Sequence, residues 1–286
     1  MGGKSSPQPV IPHRFLSTNC NPVYHITGWD KFQRQSGTVE LTQSAAAKAA
    51  ATQANPPIRI PRIGNIKLDA DLGKWAAIEP LVIRDGPAPR ARVWAAWNPT
   101  GIFVAFDVNT TGPWKTAATD QNAFQGGAEV DVCMGPAGDR AGPGPGDVRY
   151  VAAALSKRNR IVEFMPALSP GMTPRQKHPA TYQTLNGKVE FQRVAALDGH
   201  PIAVRAKPDG RGYVVEIQLP VPALLELRPG QRLRFEAACA IADADGTKSV
   251  ARFPWHSRSG KDQMVHDNFV EAQLRPMNWG QAVLGD

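Results

Sequence analysis

The sequence predicts an all-β chain, a sandwich or a barrel, with a short N-terminal β appendage. Three observations predict it. From Ile58 onward, short runs rich in Val, Ile, Phe and Ala alternate with Gly, Pro, Asp and Asn punctuation, the pattern of many short strands joined by turns. Gly and Pro number 26 each in 286 residues, above ordinary globular usage, so turns are abundant. Only Pro222-Ala-Leu-Leu-Glu-Leu227 offers a helix there, and Pro229-Gly230 stop it. Many strands at regular spacing with almost no helix mean an all-β sandwich or barrel.

Taken in order, residues 1–42 hold two short strands, Val23–Thr27 and Thr38–Leu41, around a loop at Gly28-Trp-Asp30. Two strands do not stand alone. They pack on the main domain, or they are the end of an upstream β domain. Residues 43–57 are Ala-rich, carry one charge and end in Pro-Pro. They have no apolar stripe to bury, so they read as a linker. Residues 58–286 are the main β domain. Ala91–Trp97 and Ile102–Val108 flank Asn98-Pro-Thr-Gly101 and form a hairpin. In Glu129–Met134 the apolar Val130, Val132 and Met134 share one face, the period of a half-buried strand. Tyr150–Leu155, Arg160–Phe164, Lys188–Val194, Gly212–Leu219, Leu233–Ile241 and Phe269–Leu274 continue the series. Gly135–Gly146 and Pro166–Pro179 read as long exposed loops.

Several classes of function are excluded or disfavoured. No run of about 18 apolar residues exists, so no membrane-spanning helix is expected. Met1–Leu16 carries three prolines and no apolar h-region, so no secretory signal is expected in it. MGGKSS at the start fits only the bare myristoylation pattern. The net charge is +8, from 33 basic and 25 acidic residues, and the basic residues are dispersed. That reads as solubility, and no nucleic-acid partner is expected. Cys20, Cys133 and Cys239 are far apart, without a CxxC. Cys133 and Cys239 read as small buried hydrophobes, with a mutual disulfide as the alternative. Nucleophile elbows, P-loops, dinucleotide fingerprints and HExxH are absent, and the six histidines are scattered, so no catalytic residue is assigned.

Two features remain as candidate chemistry. Asp243-Ala-Asp245-Gly246 alternates carboxylates at a strand end, which suits either an oxygen-ligated Ca²⁺ or a plain Asp/Gly turn. Among seven tryptophans, Trp75, Trp94 and Trp97 read as core. Trp114 and Trp255 lie in loops, where an indole either stacks on a sugar ring or packs laterally on the sheet.

The order of these motifs resembles family 9 carbohydrate-binding modules and their DOMON-like relatives. Ile66-Lys-Leu-Asp-Ala-Asp-Leu-Gly-Lys-Trp75 is similar to that family's I-x-I-D-G-x-x-x-x-W opening. Val93-Trp-Ala-Ala-Trp-Asn98 with Ile102-Phe-Val-Ala-Phe-Asp-Val108 looks like its hairpin. Gly127-Ala-Glu-Val-Asp-Val-Cys-Met134 looks like its G-D-x-v-E-i-f-l strand. Gly212-Tyr-Val-Val-Glu-Ile-Gln-Leu-Pro220 resembles G-Y-x-v-E-x-x-I-P. Leu233-Arg-Phe-Glu236, leading into Ile241-Ala-Asp-Ala-Asp-Gly246, resembles the strand that ends in D-a-D-g, with Trp255 in the next aromatic position of the pattern.

The resemblance implies a secreted or periplasmic antiparallel β-sandwich of jelly-roll type that binds sugars without cleaving them. Two aromatics would clamp the terminal sugar of a glucan or xylan chain. A carboxylate and an arginine would bond its hydroxyls, and Ca²⁺ would stiffen the loops. Carried over, the aromatics fall on Trp255 and on Phe124 or Trp114, the carboxylate on Asp131, the guanidinium on Arg149, and the calcium on Asp243 and Asp245. The chain departs from the pattern at Asp131, where Glu is usual, and at Ala128 and Asn109, where Asp is usual. Haem-binding relatives share the scaffold, and Met134, Met165 and His200 are the candidate ligands under that alternative. A ligand-free accessory domain of a larger secreted protein is the third reading.

Overall fold

The computed structural model describes the backbone of residues 24–29 and 34–39, and then residues 56–138, 140, 142–184, 187–221, 224–257 and 272–286. The chain separates into two units, Met1–Ala54 and Asn55–Asp286. In the first, β1 (Tyr24–Trp29) pairs antiparallel with β2 (Arg34–Val39). Gly28 and Trp29, expected in the loop, belong to β1. Most of the expected linker lies outside the described residues.

The second unit is built on two sheets. The smaller has the order β13 (Ile202–Ala206), β14 (Gly212–Leu219), β6 (Gly101–Asn109), β5 (Ala88–Asn98), β4 (Leu81–Asp85), all antiparallel. The larger runs β12 (Arg193–Ala196), β9 (Arg158–Met165), β8 (Val148–Leu155), β7 (Glu129–Pro136), β15 (Arg232–Ala242), β17 (Gly280–Leu284), β3 (Ile58–Ile60). Its eighth strand, β16 (Ser249–Pro254), pairs with the far half of β15. Among the described strands, β17 and β3 alone pair in parallel. A separate hairpin joins β10 (Ala180–Thr184) to β11 (Gly187–Phe191).

Alternation along the strands sets the layers. Val130, Val132 and Met134 of β7 and Phe235, Ala237 and Cys239 of β15 face Val93, Val104, Phe106, Val215 and Ile217 of the small sheet in one core. Each such fully buried side chain contributes about 1.5–3 kcal/mol. The outer face of the small sheet is covered by residues 63–78. There Trp75 packs on Trp94, Ala96, Phe103 and Ala105. Trp97 points to the opposite face and gives its indole N–H to the Gly285 carbonyl at 3.0 Å. The three expected core tryptophans are therefore buried, on two different faces.

The Trp75 layer hangs on one carboxylate. Glu216, on the outer face of β14, is fully buried. It accepts the Trp75 indole N–H at 2.6 Å, the backbone N–H groups of Asp69 and Ala70 at 2.8 and 2.6 Å, and the Lys74 ammonium at 3.0 Å. To present its N–H, Ala70 takes a left-handed φ of 56°, at the position where the opening motif has glycine.

Several expected elements differ. Residues 224–227 form no helix; Leu225 and Leu227 pack on the main core instead. Lys188–Val194 is two strands in different sheets, broken at Gln192. Of Phe269–Leu274, the described residues 272–274 are not strand. Ala272 and Leu274 are buried against the large sheet without joining its ladder, and the last strand is Gly280–Leu284. In the Gly/Pro tract residues 137, 138, 142, 143 and 145 are exposed, while Arg140 and Gly144 are tied to buried Asp147, which accepts the Gly144 N–H at 2.8 Å and the Arg140 guanidinium at 2.6 Å. Cys133 and Cys239 are free and buried. They sit in cores on opposite faces of the large sheet, so they do not pair.

Candidate functional site

The outer face of the large sheet carries the chemistry. On β7, Glu129, Asp131 and Cys133 alternate with the core residues and so share this face. Arg149, opposite Cys133 on β8, reaches diagonally to Asp131 Oδ2 at 2.9 Å and to Glu129 Oε1 at 3.4 Å. Arg252 comes from β16, two strands away. It crosses Ala240 and Ala238 of β15 and pairs with both carboxylates. The small alanines leave the space for that crossing. The result is two carboxylates and two guanidiniums; all but Arg252 are at least nine-tenths buried. Removing one member would leave an uncompensated buried charge, which costs about 3–5 kcal/mol.

This cluster floors a cleft of about 90 Å³ lined by Asp131, Arg149, Arg252, Glu236, Arg275 and Trp279, among others. That volume is room for about three waters and lies below the roughly 300–1,000 Å³ of sites that enclose whole ligands. It admits one edge of a ring or one or two hydroxyls. Asp131 Oδ1 and Glu129 Oε2 are buried and have no hydrogen-bond partner among the described residues. An unsatisfied buried acceptor costs about 1–3 kcal/mol, so a donor is wanted at the floor.

Glu236 forms the junction of floor and wall. Its carboxylate accepts the backbone N–H groups of Trp255 and His256, both at 2.9 Å, and of Ser257 at 2.6 Å. Burial pushes its carboxyl above the usual carboxylate range, against the pull of the His256 and Ser257 amides. Burial likewise pushes the Cys133 thiol up to about 12. Glu129, Glu236 and Arg252 were not singled out from the sequence. In sequence Glu129 sits at an outward position of a strand that reads as half-buried, which gives no sign that it is buried.

The structure brings together Asp131 and Arg149, as the resemblance implied, but not the aromatics. Phe124 is 1 % exposed. Its ring covers the Arg149 guanidinium at 5.1 Å and closes an edge-to-face ring of four aromatics with Phe164, Phe191 and Tyr182. With no free face, it is a core residue and not a sugar platform. Trp114 packs on Tyr213 at 4.9 Å, gives its indole N–H to Asn159, and does not line the cleft. Trp255 turns to the inner side of β15, against Phe235 and over Gly280. A Cβ at Gly280 would collide with its ring. The aromatic that does line the cleft is Trp279, itself nearly buried.

The Asp243-Ala-Asp245-Gly246 loop forms a hydrogen-bonded turn. Asp243 Oδ1 accepts the N–H groups of Thr247 and Lys248, and Oδ2 accepts the Thr247 hydroxyl. The Thr247 amide leads in holding its carboxyl below the ordinary value. No group of three His, Cys, Asp or Glu gathers among the described residues. The haem alternative would use Met134 and Met165, which are packed in the main core, and His200, which lies in the turn after β12 beside the start of β9.

This fold is shared with a solved structure. A family 9 carbohydrate-binding module from Caldicellulosiruptor kristjanssonii, in complex with cellotriose, aligns with a TM-score of 0.50 and 16% identity over 79% of this chain and 93% of that one. The fold is that of a family 9 carbohydrate-binding module. A structure of a family 9 module from the same organism in complex with glucose aligns with a TM-score of 0.48 and 16% identity, over 80% of this chain and 96% of that one. No family model matches the sequence, and no curated protein matches it. The likeness is therefore carried by the fold of this CBM9-like domain.

Proposed function

We propose that this CBM9-like domain is a non-catalytic carbohydrate-binding module and that its sugar contact is the cleft over Asp131 and Arg149. One observation carries the reading: Asp131, whose buried Oδ1 has no hydrogen-bond partner among the described residues, lines a cleft that is also lined by guanidinium donors. A sugar hydroxyl donates and accepts at once, so it can satisfy the carboxylate and take a bond from an arginine. The solved modules of the same fold hold cellotriose and glucose, which supports a neutral glucan as ligand. The small cleft favours a chain end, entered by the edge of one ring. Recognition here rests on hydroxyl geometry, with Trp279 as the nearby apolar wall, rather than on a clamp by Trp255 and Phe124. A few hydrogen bonds at about 0.5–1.5 kcal/mol each give micromolar or weaker affinity.

The test is affinity electrophoresis in gels containing soluble β-glucan or xylan, with glucose as competitor. Migration slowed by one polysaccharide, and restored by free sugar, is the expected result. Unslowed migration of folded protein in every gel would overturn the reading.

A further inference from the structure

We propose that Glu236 is the positioning residue of the cleft: one buried carboxylate holds the 255–257 segment as one wall and, through it, the 276–278 turn as the other. The ligand in this proposal rests on the carbohydrate reading above; the positioning itself does not.

The argument starts from what the backbone lacks. Strand β16 ends at Pro254, and the one remaining ladder bond beyond it is Trp255 N–H to the Ala237 carbonyl at 2.8 Å. The next two amides, His256 and Ser257, have lost their strand partner. Glu236 replaces it with a side chain, one oxygen accepting Trp255 and His256 and the other accepting Ser257. A carboxylate has the lone pairs for three donors and no proton of its own to present. The held segment then grips the opposite side. His256 Nδ1 meets the Asn278 carbonyl at 2.9 Å, and the Ser257 hydroxyl donates to the same carbonyl at 3.1 Å. Ser257, Asn278 and Glu236 all line the cleft. The charged and titratable groups that share the cleft with Glu236 are Asp131, Cys133, Arg149, Arg252 and Arg275, with His256 on the held segment. Asp131 is already paired with Arg149 and Arg252, and the 255–257 amides donate to Glu236.

Glu236→Gln tests this. The glutamine keeps one acceptor oxygen but turns an NH₂ toward an amide donor. The experiment is hydrogen exchange on the full chain, read at the amides of 255–257, beside titration with cellotriose. We expect those three amides to exchange at least about tenfold faster and affinity to fall about tenfold or more. Amides of β7 and β8 should keep their protection. Unchanged protection at 255–257 in a folded variant would overturn the proposal. So would wild-type affinity in a variant whose 255–257 segment is released. If the wild type binds no sugar, the carbohydrate reading falls alone and the exchange data still decide the positioning. Should Glu236→Gln not fold, His256→Ala cuts the ring's link to Asn278 and leaves the three backbone amides on Glu236. Weakened cellotriose binding in that folded variant supports the proposal, and undiminished binding overturns it.

Discussion

Trp75 donates its indole N–H to Glu216 at 2.6 Å, across 141 positions of the chain. That bond joins the opening motif of the sandwich to its β14 motif, and three further donors converge on the same carboxylate. Glu216→Gln keeps the shape but sets an NH₂ against those donors. It should lower unfolding stability by about 3 kcal/mol, read from denaturant midpoints. Stability within a few tenths of wild type would show that the cluster contributes nothing net.

Ala70 holds its left-handed φ of 56° without being glycine. That conformation costs an alanine about 1–2 kcal/mol, and glycine loses part of the gain through its freer unfolded chain. Ala70→Gly should therefore stabilise by about 0.5–1 kcal/mol, seen as a raised thermal midpoint with unchanged binding. A lowered midpoint would contradict this account of the turn.

Phe124→Ala separates packing from stacking. Removing a buried ring with three aromatic and cationic neighbours should cost about 3–5 kcal/mol. Trp114→Ala, by contrast, should leave sugar affinity at the wild-type value, because Trp114 lies off the cleft. Loss of binding with full stability in the Trp114 variant would return that indole to the site.

Glu236 also predicts a pH dependence. Its carboxyl is raised by burial, so the folded state holds its proton to higher pH than the unfolded chain does. Its contribution is fully present below the unfolded value and is lost as pH rises through the folded one. The stability of the wild type minus that of Glu236→Gln should fall across that interval as pH increases. A difference that is flat or rising there would reverse the sign assigned to Glu236.

The two strand cysteines should be inert. Burial pushes both thiols up to about 12. In a Cys20→Ser variant, a disulfide reagent at pH 8 should label neither until denaturant is added. Rapid native labelling would mean that one of the two cores opens.

Much of the fold was legible because its signals are local. The Ala91–Val108 hairpin, the alternation of Glu129–Met134 and the ordered motifs each follow from period, turn residues and burial. The site was only half legible. Asp131 and Arg149 pair because β7 and β8 are sequence neighbours. Arg252 joins them only because β16 folds back past two alanines of β15, a relation that no local pattern encodes. Phe124 misled for the same reason. A loop position does not show which side of a sheet a ring will take: Phe124 is buried in a core, and Trp255 packs half-buried against the main one. Glu236 reads in sequence as an ordinary strand residue; its role appears only once β16 runs out of partners.

The most direct measurement is calorimetric titration of the chain and of its Asp131→Asn variant with cellotriose. The account predicts saturable binding by the wild type and at least about tenfold weaker binding by a variant shown by circular dichroism to be folded. Equal affinity of the two proteins, or no heat from a folded wild type with cellotriose, glucose or a xylo-oligosaccharide, would contradict it.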